Sequence, residues 1–73
     1  MAKISREQYE LNLETTYQCI KKFIEKNGYS PSMREIADNT KRSLDTVFNH
    51  VYKLKELGKI DFVEGKARTI KIK

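Results

Sequence analysis

Long apolar runs are missing from this sequence, and so are signal-peptide and lipidation patterns, so nothing in it predicts a membrane-spanning or lipid-anchored chain. A single cysteine, Cys19, excludes an internal disulfide and suits a reducing compartment, so the expectation is a cytoplasmic protein. Cys19 flanks an apolar stripe and reads as a small buried thiol rather than a nucleophile. One histidine and one cysteine cannot build a zinc site. No glycine-rich phosphate loop, paired carboxylate or Ser/His/Asp arrangement stands out from ordinary surface charge. No enzyme, cofactor, metal or small-molecule ligand is therefore expected. Internal repeats and low-complexity segments are absent as well.

What the sequence does have is charge on a short chain. Seventy-three residues, 38% hydrophobic and 34% charged, suit one folded domain over 1–73 with a small core. The net charge of +5 is unevenly placed. Residues 1–33 hold five Lys/Arg against four Asp/Glu, whereas residues 34–73 hold ten against six. A basic half favours a polyanionic partner.

Taken in order, Ser5-Arg6-Glu7-Gln8 is a capping box that opens a first helix of about 22 residues. Tyr9, Leu13, Thr16, Tyr17, Ile20, Phe23 and Ile24 share one face of it, and Asn27-Gly28 ends it. Leu11 points away from that face. Tyr29-Ser30-Pro31 is an extended link. Ser32-Met33-Arg34-Glu35 is a second capping box, with Pro31 and Ile36 placed as a hydrophobic staple. Met33, Ile36 and Ala37 supply the buried side of a short helix that fades by Asn39-Thr40. Lys41-Arg42 fills a tight turn.

Ser43 then caps a third helix that Gly58 stops. Leu44, Val47, Phe48, Val51, Leu54 and Leu57 recur at three- and four-residue steps on its apolar side, with His50 at the margin. The other side carries Asp45, Thr46, Asn49, Lys53 and Glu56, with Tyr52 at its edge. Beyond Gly58 the period changes to two. Ile60 and Phe62 alternate with Lys59, Asp61 and Val63, Glu64-Gly65-Lys66-Ala67 makes a turn, and Ile70 and Ile72 alternate from Arg68 to Lys73. Lys66 and Arg68 at the tip are expected to reach outward. The architecture is α+β: a winged helix-turn-helix of three helices followed by a two-stranded β-hairpin wing.

At this point three stretches resemble a known family. GYSPSMREIA (Gly28 to Ala37), TVFNHVYKLKELGKI (Thr46 to Ile60) and VEGKARTIKI (Val63 to Ile72) are similar to the LexA repressor DNA-binding domain family. The likeness runs in one order from about Leu13 to Ile72. It implies sequence-specific repression of stress-response operators, with the third helix reading bases through Ser43, Asp45, Thr46, Phe48 and Asn49. The turn Asn39-Thr40-Lys41-Arg42 lacks the family's glycine and apolar residue and is one residue shorter. The self-cleaving peptidase domain that dimerises such repressors has no counterpart in these residues.

In chemical terms Asn49 suits a bidentate pair with adenine, and Thr46 suits a thymine methyl or a hydrogen bond. Asp45 either complements the helix dipole or accepts from cytosine. Arg42, Lys53, Lys66 and Arg68 are candidate phosphate contacts, and Ser32 and Arg34 mark a helix N-terminus suited to an anion. Solvated lysine is the ordinary alternative for Lys53 and Lys66, and His50 fits either packing or a phosphate. The expected partner is double-stranded DNA, in a nucleoid-associated protein that forms a weak homodimer through its long first helix. Two other readings share the pattern: a winged-helix protein–protein module, and the isolated N-terminal domain of a self-cleaving LexA-type repressor.

Overall fold

In the computed structural model, which describes residues 6–73, the element order is α1 (Arg6–Asn27), α2 (Met33–Thr40), α3 (Leu44–Glu56), β1 (Ile60–Asp61) and β2 (Lys71–Ile72). The helix ends follow from local capping chemistry. Gly28 takes a left-handed φ of 77° and its N–H donates to Ile24 O at 2.8 Å, which closes α1. The expected N-cap Ser5 lies outside the described residues. At α2 both halves of the capping box are formed: Glu35 N donates to Ser32 Oγ, and Ser32 N donates to Glu35 Oε1 at 2.9 Å. Ser43 caps α3 by accepting from Thr46 N at 3.2 Å. Its far end is a Schellman motif, with Gly58 N donating to Lys55 O and Lys59 N to Leu54 O, both at 3.0 Å.

The turn between α2 and α3 has no glycine, yet it uses a left-handed residue. Lys41 sits at φ 57°, ψ 42°, and Arg42 N closes back on Ala37 O at 3.0 Å. A lysine therefore bears the steric cost that glycine would avoid, of order 1 kcal/mol.

The core gathers Leu13 and Ile20 from α1, Ile36 and Ala37 from α2, Val47, Val51 and Leu54 from α3, and Ile60, Phe62 and Ile70 from the wing. Each fully buried branched aliphatic contributes about 1.5–3 kcal/mol. The inward face of α3 differs from the expected one. Val47, His50, Val51 and Leu54 are buried, a clean i, i+3, i+4, i+7 set, whereas Leu44, Phe48 and Leu57 are exposed. The stripe is rotated toward His50 because that histidine finds a buried partner on α1, described below.

The wing is shorter in regular pairing than its alternation suggests. Only Ile60↔Ile72 and Asp61↔Lys71 pair, antiparallel. Past them, side chains take over the backbone groups that a longer ladder would use. Phe62 N donates to Asp61 Oδ1, Val63 N donates to Thr69 Oγ1, and the Thr69 hydroxyl turns back on Val63 O and Lys66 O. Among the described residues no helix is long and apolar enough to cross a membrane.

Candidate nucleic-acid interface

The outward face of α3 and the inner side of the wing meet along one edge of the molecule. Between them lies an apolar groove of about 250 Å³, lined by Phe48 and Tyr52 from α3, by Met33 of α2, and by Phe62 to Ala67 of the wing. Tyr52 is fixed there by an edge-to-face contact with Phe62, centroids 5.3 Å apart. Lys55 in turn lies 4.5 Å from the Phe62 ring and donates to Phe62 O, so the base of the wing is held to α3.

Of the five residues expected to read bases, Asp45 and Asn49 are exposed, and neither has a side-chain partner among the described residues. Phe48 is exposed at the groove. Ser43 and Thr46 are otherwise engaged. The Ser43 hydroxyl donates to Thr46 Oγ1 at 2.8 Å while accepting from Thr46 N, so the two hydroxyls serve first as the cap of α3.

The six residues expected on a nucleic-acid backbone divide more sharply. Arg34 and Lys66 are exposed, and neither side chain has a partner among the described residues. Lys53 is loosely paired with Glu56, one turn on, at 3.6 Å. Ser32 has both its hydroxyl and its N–H committed to Glu35, so the carboxylate of Glu35 already occupies the first turn of α2.

Arg68 does not reach outward as expected from the hairpin spacing. It folds back across the molecule: its guanidinium pairs with Glu35 Oε1 at 2.8 Å, donates to Ser30 O at 3.2 Å and lies 5.1 Å from the Tyr29 ring centroid. Ile70 N donates to Ser30 Oγ beside it. The physical reason is that Glu35, held on the α2 cap, presents a carboxylate within reach of a left-handed Arg68 at φ 59°. Hydrogen bonds from Ser32 and then from Arg68 hold the Glu35 carboxyl below the usual range.

Arg42 is likewise turned inward and half-buried. Its Nη2 donates to Asn12 Oδ1 at 3.0 Å, and its Nε is buried without a partner among the described residues. Gln8 shares the same Asn12 oxygen at 3.1 Å. One turn along, Thr16 Oγ1 lies 2.9 Å from His50 Nδ1 and donates to Asn12 O. Tyr9 meets the imidazole edge-on. His50 is 3% exposed, so it is a packed histidine and not a surface contact. Burial lowers its pKa, and the nearby Arg42 charge lowers it further.

Sequence reasoning missed Asn12, Glu35, Ser30 and Tyr29 as partners. The signal for Glu35 was present in its capping box. Nothing local pairs the others with residues 30 to 40 positions away. Cys19 is half-buried and its thiol is pushed up by burial, which does not suit a nucleophile. Among the described residues no group of three or more His, Cys, Asp or Glu could hold a metal ion.

A match to the LexA DNA binding domain family runs over residues 1–69. The LexA repressor of Syntrophobacter fumaroxidans is 38% identical over 61 residues, covering 81% of this chain and 30% of that protein. That of Thermotoga maritima is 42% identical over 53 residues, covering 73% and 27%. That of Moorella thermoacetica is 44% identical over 54 residues, covering 73% and 26%. The chain thus spans under a third of the length of these relatives.

Proposed function

The chain belongs to the LexA DNA-binding domain family, and on that premise we propose that it binds double-stranded DNA sequence-specifically and acts in transcriptional repression. In this reading α3 enters the major groove while the wing lies on the backbone or in the minor groove. The observation that carries it is the exposed α3 face with Asn49 unpartnered, together with the unpaired cations of Arg34 on α2 and Lys66 on the wing, among the described residues. Asn49 offers the donor–acceptor pair that adenine matches. Arg34, Lys53 and Lys66 serve the phosphates, whereas Arg42 and Arg68 hold α3 and the wing in place.

With three or four phosphates neutralised, log affinity is expected to fall with log salt at a slope between about −3 and −4. Asn49→Ala should cost about 1–2 kcal/mol on the preferred duplex and little on random DNA. Lys66→Ala should weaken both alike and reduce the slope by about 1. Fluorescence anisotropy on the two duplexes across a salt series measures all three quantities. A flat salt response would favour a protein–protein module with the same fold.

The homodimer belongs to the same proposal. Leu11 on α1 is 61% exposed beside the exposed Thr15, at a shallow hollow shared with the end of α2, and two copies of the domain would bury it. Sedimentation of wild type and Leu11→Glu, each with and without a palindromic duplex, should show the pair only for the wild type. Identical masses and identical cooperativity would remove the dimer from the reading.

A further inference from the structure

Leu44, Phe48 and Tyr52 recur every four residues along α3, and they remain 39, 38 and 45% exposed. Residues spaced in this way form one row on a helix, here about 12 Å long at 1.5 Å per residue. This row is not part of the core, which takes Val47, His50, Val51 and Leu54. Phe48 and Tyr52 of this row line the groove beneath the wing, where Tyr52 is braced against Phe62 and Lys66 stands on the wing side, and Leu44 continues the row beyond the groove toward the start of α3.

Beside this row, the outward polar groups in the first two turns of the same helix are few, the charged Lys53 and Glu56 lying farther along and pairing with each other. The Ser43 and Thr46 hydroxyls bond to each other, which leaves Asp45 and Asn49. Asp45 is an anion, and in a major groove only the amino groups of cytosine and adenine would donate to it. The face is thus poor in donors and rich in apolar surface. A major groove presents one apolar feature, the C5 methyl of thymine.

We infer that Phe48, flanked by Leu44 and Tyr52, reads thymine methyl groups, so that the preferred duplex carries thymines where this row lies. The inference rests on the DNA-binding reading above. It commits the groove to DNA and not to an apolar protein segment because Lys66 lines the wall and the surrounding half of the chain is basic. In a water-excluding contact each methyl is worth a factor of about three to five in affinity.

Selection from a random duplex library with the 73-residue chain supplies the preferred site, and each thymine in it is then replaced singly by deoxyuridine, which removes only the methyl. At least one replacement should weaken binding three- to fivefold. The same replacement should have no effect on Phe48→Ala, while Phe48→Leu should retain part of the discrimination. Phe48 lies outside the core cluster and is 38% exposed, so both variants should stay folded with at most a modest loss of melting temperature, which circular dichroism checks. A selected site without thymines overturns the inference. So does equal affinity for thymine and uracil at every position, or discrimination that survives in Phe48→Ala. A library yielding no bound duplex overturns the DNA-binding reading itself, whereas a bound duplex indifferent to the methyl overturns this inference alone.

Discussion

Asn12→Leu is expected to destabilise the domain by about 2–4 kcal/mol, although it replaces a polar side chain of α1 by an apolar one of similar size. Asn12 is 8% exposed and its Oδ1 receives both Arg42 Nη2 and Gln8 Nε2. Removing that acceptor strands a half-buried guanidinium whose Nε already lacks a partner among the described residues. An uncompensated buried charge costs more than the lost hydrogen bond itself. The companion change Arg42→Met should be much milder, since it removes the charge together with its requirement. The double variant should recover most of the loss. Urea unfolding of the four proteins in the cycle tests this, and additivity of the two single changes would show that the pair is not coupled. A domain of this size holds only about 4–11 kcal/mol in total, so Asn12→Leu approaches the limit of folding.

The second expectation concerns acid. Because burial holds the His50 pKa down, the unfolded chain binds a proton that the folded one resists. Stability is therefore complete above the ordinary histidine value of about 6.5 and declines as the pH falls through it toward the folded value. The melting temperature should fall between pH 7.5 and pH 5. Each unit of depression is worth about 1.36 kcal/mol, and 1 kcal/mol moves a small domain by roughly 4–8 °C. His50→Leu should melt lower at pH 7.5, yet lose this dependence, since Thr16 keeps its bond to Asn12 O. A second decline is expected below the ordinary carboxylate range, where Glu35, held down by Ser32 and Arg68, takes up its proton. Glu35→Gln should flatten that lower limb. A melting temperature constant from pH 7.5 to pH 5 would show that His50 is not held neutral by the fold.

Helix limits were legible because their determinants are local. Ser32 with Glu35, Ser43 with Thr46, and the glycines at 28 and 58 act within a single turn, and the chain shows all of them side by side. The outward position of Asp45 and Asn49 follows from the same periodicity. What could not be read was set by long-range partners. Arg68 looks like a free wing-tip cation until Glu35 and Ser30 are placed beside it, and Arg42 looks free until α1 brings Asn12 to it. His50 likewise reads as marginal on its own helix. Thr16 on α1 decides that it goes in, and that choice turns Phe48 out.

The way the wing is tied down also bears on the order in which the molecule assembles. The two bonds that hold it against the α1–α2 link, Arg68 to Ser30 and Ile70 to Ser30, close loops of 38 and 40 residues. The caps of α2 and α3 close over three residues. Local contacts form at little entropic cost, whereas long loops must be closed before their contacts repay it. The individual helices should therefore form first, their packing through loops of 30 and 34 residues next, and the wing's bonds to the α1–α2 link last. By the same reasoning β2 should be the first element to detach in the native state, exchanging its amide hydrogens while Val47 and Val51 stay protected. Under the proposed function, a wing that releases without unfolding the helices would let the domain free one face of the DNA while α3 held the other.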